Sequence, residues 1–215
     1  VFGNTYYNLS ITGEGSFTPA SDLDINGSFS QAAGTFVAPA TITIGNDFTH
    51  SSGTFTHNDG TVVFDDINEV ATITGATTFN NFTCTTAGKE IDFEAAVRQI
   101  ISGTWTITGG DGNLILLRST VPGTQWEVDP RGTRNVSFAN VKDSNNVNVL
   151  VISAASSVDG GNNINWLFSF IISGDVYSDL GLNLIGPGIN VVIVINGVVM
   201  GNVDTTGTGQ YLFDS

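Results

Sequence analysis

The sequence predicts an all-β protein: a repetitive β-solenoid over most of its length, followed by a small β-sandwich module. Three observations carry this reading. Charged residues make up only 12% of the 215, against 40% hydrophobic residues and 26 glycines. That composition supplies a core and argues against the charge-rich disordered class. Runs of Glu, Lys, Leu and Ala at helical spacing are nearly absent, so helices have little to build on. Finally, short segments that alternate apolar residues with Thr recur about every twenty residues, a period typical of stacked repeats.

The repeats appear at two scales. Phe29-Ser-Gln-Ala-Ala-Gly-Thr-Phe36 matches Phe48-Thr-His-Ser-Ser-Gly-Thr-Phe55, and Ser102-Gly-Thr-Trp-Thr106 matches Ser52-Gly-Thr-Phe-Thr56 with Trp in place of Phe. At a longer interval, Asn4-Thr-Tyr-Tyr-Asn-Leu-Ser-Ile-Thr12 matches Thr77-Thr-Phe-Asn-Asn-Phe-Thr-Cys-Thr85. Candidate strands are Thr41–Ile44, Thr61–Phe64, Ala71–Thr74, Gly103–Thr106 and Asn113–Leu116. Their two-residue alternation turns Ile, Val, Phe and Trp inward and Thr outward. One coil cannot bury its own inner face, so neighbours must stack in parallel about 4.8 Å apart. Equivalent residues then lie above one another. This predicts ladders of Phe29 over Phe48 and of Phe36, Phe55 and Trp105, with Gly27, Gly34, Gly45, Gly53, Gly75 and Gly103 at corners. Residues 1–168 at about 20 per coil imply about eight coils and a length near 40 Å. The stretch 116–168 is less regular, and Asn165-Trp-Leu-Phe168 reads as a closing element.

The phrases "NLSITGEG", "DFTHSSGTFTHNDGTVVF", "TFNNFTCTTAG", "ISGTWTITG", "LLRSTVPGTQWEVDPRGTRNVSFANVKDSNN" and "VDGGNNINWLF" resemble the filamentous-haemagglutinin-like, adhesin-like repeat regions of large bacterial surface proteins. The resemblance spans about residues 1–168. It implies a right-handed parallel β-helix in a long secreted or cell-surface polypeptide, where such repeats chiefly provide length.

From about Phe170 the pattern changes, and 169–215 reads as a second module. Ile171–Asp179, Ile189–Ile195 and Gln210–Phe213 are strand-like, and Asn196-Gly197 between Val191–Ile195 and Val198–Met200 is a two-residue hairpin signal. The phrases "SGDVYSDLG" and "TTGTGQYLF" resemble carboxypeptidase-regulatory-like or transthyretin-like sandwich domains, which implies a partial Ig/transthyretin-like β-sandwich. Such domains need about seven strands, and about four fit here. The module is therefore expected to be completed by further residues or by a neighbouring subunit through strand addition. Val191, Val192, Ile193, Val194 and Ile195 are apolar and uncharged, and form the edge at which another chain would pair.

Charge bounds the partners. The net charge is −14, and the six basic residues (Lys89, Arg98, Arg118, Arg131, Arg134, Lys142) all lie in the central stretch. Without cationic clusters, nucleic acid and anionic membrane are poor partners. The apolar run 191–195 is far too short to span a bilayer. The expected partners are other copies or adjacent domains of the same polypeptide, with glycan as the alternative ligand and an extracellular or cell-surface setting.

No catalytic, cofactor or metal site is expected. His50 and His57 are the only histidines, and a Gly-Thr turn separates them; they read as surface residues rather than as a zinc pair with Asp47 and Asp59. No G-x-S-x-G elbow is present, and Asp22/Asp24, Asp65/Asp66 and Asp92/Glu94 are too generic for glycosidase chemistry. A polysaccharide-lyase activity is the remote alternative. Asn58-Asp59-Gly60 and Asp175…Ser178-Asp179 lack the Ca²⁺ loop pattern and read as turns. Cys84, the single cysteine, reads as a small buried hydrophobe. The T-x-T pairs at 41/43, 54/56, 72/74, 83/85 and 104/106 are spaced 13, 18, 11 and 21 residues apart. Such uneven steps read as ordinary strand surface rather than as one flat array for ice or carbohydrate.

Overall fold

The computed structural model describes residues 4–169, 171–178, 183–184, 186–195 and 198–214, which divide into two compact units, 1–168 and 169–215. No helix occurs among them; every element is a strand. Unit 1 is a parallel β-solenoid of eight coils with three strands to a coil.

Three faces run along the solenoid. Face one carries nine strands in the order Thr5–Tyr6, Leu23–Ile25, Thr41–Ile44, Thr61–Phe64, Asn81–Cys84, Trp105–Thr108, Arg134–Ser137, Ile152–Ala155 and Trp166–Ser169. Face two carries Leu9–Ile11, Phe29–Gln31, Phe48–His50, Ala71–Thr74, Glu90–Phe93, Ile115–Ser119, Ala139–Val141 and Val158–Asp159. Face three is interrupted. Ser16–Phe17, Thr35–Val37 and Thr54–Thr56 form one sheet, and Thr77–Phe79, Arg98–Ile101, Trp126–Pro130 and Ser144–Asn146 form another. Aromatic contact carries across that break, with the Phe55 and Phe79 rings 6.0 Å apart.

Register explains why the strands hold one phase while the coils differ in length. On face one Leu23 pairs with Ile42, Ile42 with Val62 and Val62 with Phe82; Phe82 then pairs with Trp105, and Trp105 with Arg134. The longer later coils place their extra residues in turns, including 109–114 and 120–125. A one-residue slip would expose every buried side chain, whereas a longer surface loop costs little. Inward positions therefore stack as columns. One runs Tyr6, Ile25, Ile44, Phe64, Cys84, Ile107, Val136 and Ala154, buried from Ile25 onward.

The aromatic ladders differ from expectation in one member. Phe29 pairs with Phe48, their rings stacked 5.1 Å apart, and Phe36 pairs with Phe55 at 5.8 Å. Phe17 extends the second ladder, stacking on Phe36 at 5.8 Å. Trp105 belongs to neither. It sits on face one between Phe82 and Arg134, edge-on to Trp166 at 5.8 Å. The Gly-Thr-aromatic triplet turns a different corner in the two places. Gly34 and Gly53 adopt φ of 62° and 88° and lead into face three, whereas Gly103 is not left-handed and leads from face three into face one. The same local sequence serves two corners because the preceding strand decides which face comes next.

At the far end of unit 1, Trp166 stacks on Phe168 at 5.9 Å and donates its indole N–H to Ser144 Oγ at 3.1 Å. In unit 2, Ile171–Asp175 pairs antiparallel with Gln210–Asp214. Asn190–Ile195 pairs antiparallel with Val198–Asp204, with a register shift at Ile193/Val194. Ile195 lies opposite Val198; Asn196 and Gly197, the expected turn, fall outside the described residues. The described strands of unit 2 thus make two two-stranded ladders rather than a full sandwich.

Candidate functional site

Burial of polar groups singles out a set of side chains that tie coil to coil. Lys89 is fully buried, and its ammonium donates to three backbone carbonyls: Gly45 at 3.1 Å, Asp66 at 2.6 Å and Glu69 at 2.9 Å. These acceptors lie 44, 23 and 20 residues upstream, so one side chain joins three successive coils. Burial pulls its pKa below the ordinary lysine range, opposed by the neighbouring Cys84 sulfur and by the Asp66, Asp65 and Glu69 carboxylates. Sequence reasoning counted Lys89 only as a charge. The available signal was a lone lysine directly after the Ala87-Gly88 turn, in a stretch otherwise without cations.

Asp143 plays the matching part further along. It is buried at left-handed φ 55°, accepts the Gly123 N–H at 3.0 Å and accepts from Asn162 Nδ2 at 2.7 Å. Burial alone would raise its pKa. The Gly123 and Asn162 hydrogen bonds, with the Lys142 and Arg118 charges, together hold it below the usual carboxylate value. Buried amides act similarly. Gln99 donates to the Gly75 carbonyl at 2.9 Å and accepts the Thr77 N–H at 3.2 Å, and Asn146 donates to the Leu150 and Asn165 carbonyls at 2.8 and 3.0 Å. Each bonds backbone groups at or beside the corners.

The residues weighed as chemical groups are dispersed. His50 Nδ1 lies 3.2 Å from both the Ala76 carbonyl and Thr77 Oγ1, and Nε2 lies 3.4 Å from the Gly53 carbonyl. His57 Nδ1 accepts the Asp59 N–H at 3.2 Å. Asn58 and Asp59 are both left-handed, at φ 46° and 55°, in a turn closed by Gly60 N–H donating to the His57 carbonyl at 2.8 Å. Among the described residues no three His, Cys, Asp or Glu side chains gather as a metal-holding group. Asp175 and Ser178 are exposed, and Asp179 lies outside the described residues. Cys84 is buried between Phe64 and Ile107 in its column, and burial pushes its thiol up to about 11. In unit 2, Val191 is half-buried, Val192 is exposed, and Val191 to Ile195 pair with Val198 to Val203 on one side. Among the described residues no ladder forms on their other side.

Two surface features remain. The corner between faces two and three carries an open groove of about 620 Å³ lined by Glu14, Ala33, Gly34, Ser52 and Thr54. It continues past His50, Thr74 and Glu94 in a second hollow of about 450 Å³. Small side chains make up most of the lining, with Glu14 in the first hollow and His50 and Glu94 in the second.

The second feature is the outer side of face one. Register sets Thr41, Thr61, Asn81, Thr104 and Thr133 in one column, and Thr43, Val63, Thr83, Thr106 and Asn135 in the next. No charged side chain points outward from the strands Thr41–Ile44 through Trp105–Thr108. Beside them on face one, exposed Asp24 of Leu23–Ile25 stands in register with Thr43, and charge also lies on the other faces. Asp92 pairs in register with Arg118 on face two, and Arg98 meets Glu127 at 2.8 Å on face three. The T-x-T pairs do scatter, since Thr54/Thr56 lie on face three and Thr72/Thr74 on face two. The threonines of face one nevertheless align, because loops of unequal length absorb the uneven spacing. No protein family, curated protein or solved structure matches the chain.

Proposed function

We propose that this chain is a structural segment of an extracellular surface adhesin or fibre, in which the solenoid supplies rigid length and the second unit joins it to a neighbouring copy. The observation that supports this reading most is the continuity of the core. Eight coils share hydrogen-bonded ladders, and fully buried columns of Phe, Ile and Trp run along them. A stacked repeat of this kind resists bending because each coil buries the next one's inner face. The polar side chains that enter the interior hold backbone groups of adjacent coils, as Lys89 and Asp143 do. In unit 2, the strand Asn190–Ile195 has one edge without a ladder partner among the described residues, and an apolar strand edge is a template for pairing with another chain.

Negative-stain electron microscopy of the whole chain over a range of concentrations tests this. Filaments repeating at about one solenoid length support joining between copies. Discrete short particles that lengthen only when further repeats are fused in frame support a spacer without self-joining. Compact particles with no long axis at any concentration contradict the structural reading.

A further inference from the structure

We infer that the solenoid opens at one built-in joint, the interruption of face three between Thr54–Thr56 and Thr77–Phe79, and that His50 is the latch across it; the consequence, a rod whose bending is confined to one place, rests on the structural role proposed for the solenoid. Faces one and two run past this point unbroken. Thr41–Ile44, Thr61–Phe64 and Asn81–Cys84 pair in turn, as do Phe48–His50, Ala71–Thr74 and Glu90–Phe93. On face three the ladder stops at Thr54–Thr56 and resumes at Thr77–Phe79. The neighbouring face-two ladder thins there as well, to two paired positions (Phe48 with Ile73, Thr49 with Thr74) against three in the ladders on either side.

The corner glycines show why the ladder stops. A side chain at Gly34 would meet the Gly13 and Gly15 carbonyls, and one at Gly53 would meet those of Ala33 and Gly34, so each corner lies directly on the one before. Gly75, at φ 85°, lies instead on the His50 carbonyl, three residues short of Gly53. The corner is displaced, and the strand that follows it does not come into register beside Thr54–Thr56. Among the described residues the facing edges of the two strands form no ladder, and a hollow of about 450 Å³ lies beside His50, Gly53, Gly75 and Ala76.

Each lip of the joint is held to its own side. Gln31 Nε2 donates to the Gly34 and Thr54 carbonyls at 3.2 and 3.0 Å on one side, and Gln99 holds the Gly75 carbonyl and the Thr77 N–H on the other. The His50 ring spans the two. Its Nδ1 lies 3.2 Å from both the Ala76 carbonyl and Thr77 Oγ1, and its Nε2 lies 3.4 Å from the Gly53 carbonyl. Ring contacts add Phe48 and Phe55 against Phe79 at 5.2 and 6.0 Å, and Phe55 is only half-buried whereas Phe36, its partner on the intact side, is fully buried. A ladder opens only when several backbone bonds break together. One imidazole and a few aromatic contacts give way more easily, so this is the least costly place for the solenoid to open away from its ends.

The experiment is hydrogen–deuterium exchange of the full chain at one fixed pH, resolved to single amides and corrected for intrinsic rates. At the joint, the Thr54 N–H donates to the Gly34 carbonyl at 2.8 Å and the Thr77 N–H to Gln99 Oε1 at 3.2 Å. On face one of the same coils, Thr61 donates to the Ala40 carbonyl at 2.8 Å and Asn81 to the Gly60 carbonyl at 3.0 Å. All four amides are hydrogen-bonded, so a difference in protection reports opening. Thr54 and Thr77 are expected to exchange about tenfold faster than Thr61 and Asn81. His50→Ala should speed Thr54 and Thr77 by a further factor of about ten and leave Thr61 and Asn81 unchanged. His50→Gln, which keeps a donor, should fall between, and His57→Ala should change none of the four. Equal protection of all four amides in the wild-type chain overturns the joint. Exchange at Thr54 and Thr77 that His50→Ala leaves as it was, or a rise shared equally by all four, overturns the latch. None of these readings depends on whether copies of the chain join.

Discussion

Replacing Lys89 with Met keeps the length of the side chain and removes only the ammonium, which isolates what the three carbonyl contacts contribute. The wild-type Nζ donates to Gly45, Asp66 and Glu69 at 3.1, 2.6 and 2.9 Å. Ile67, Asn68 and Glu69 are exposed, so water reaches the carbonyls of that loop in the variant; each exchange loses about 0.5–1.5 kcal/mol. Gly45 is buried, and its carbonyl loses its donor without ready access to solvent, at about 1–3 kcal/mol. Relief of the buried charge returns part of this, since removing an ammonium from water costs several kcal/mol. The expected net loss is about 3 kcal/mol, or roughly 6–12 °C in melting temperature for a domain of this size. The assay is thermal unfolding followed by circular dichroism at neutral pH. Lys89→Arg should not rescue, because a planar guanidinium cannot direct three donors at carbonyls grouped around one point. A melt for Lys89→Met within about 2 °C of wild type, outside the range expected from that loss, would refute the argument that the ammonium holds three coils together.

Three other outcomes follow from the same geometry. Asp143 has its pKa lowered on folding, so the stability it contributes is complete above the unfolded carboxylate value near 3.9 and is lost as pH falls through its lower folded value. Urea midpoints of wild type should drop over that acid window, and Asp143→Asn should start lower and show a shallower drop. Phe48→Ala removes a ring within 5.1–5.4 Å of Phe29, Phe55 and Phe79, and should cost about 3–5 kcal/mol. Phe17→Ala, on an exposed ring that stacks on Phe36 alone among the described aromatic rings, should cost much less; equal urea midpoints for the two would contradict the ladder. Cys84, with its thiol pushed up to about 11 inside the core, should resist a thiol reagent at pH 8 until denaturant is added; rapid labelling of the folded chain would place it at the surface.

Strand phase was legible from residues alone. The alternation in Thr41–Ile44 and Thr61–Phe64 allows only one side to face a core, and that side proved to be the buried one. The Phe29/Phe48 pair was legible for a related reason. The motif repeats after nineteen residues with the same corner glycine, and equal coils put equal residues in register. The hairpin in unit 2 was likewise signalled by two turn residues between apolar runs, and Ile195 does lie opposite Val198.

What the sequence could not decide was which coil neighbours which corner. Trp105 shares its Gly-Thr-aromatic motif with Phe36 and Phe55, yet stands under Phe82, because face assignment depends on how many strands the chain has already laid down. Thr43, Val63, Thr83 and Thr106 are unevenly spaced along the chain and become level only when loops of different length are folded out of the way. The partners of Lys89 were hidden for the same reason. They are backbone carbonyls 20 to 44 residues distant, and a carbonyl has no sequence signature. Local alternation is a property of consecutive residues and is written in the sequence. Register between coils, and every site built from it, is set by parallel pairing across distances that only the folded chain brings together.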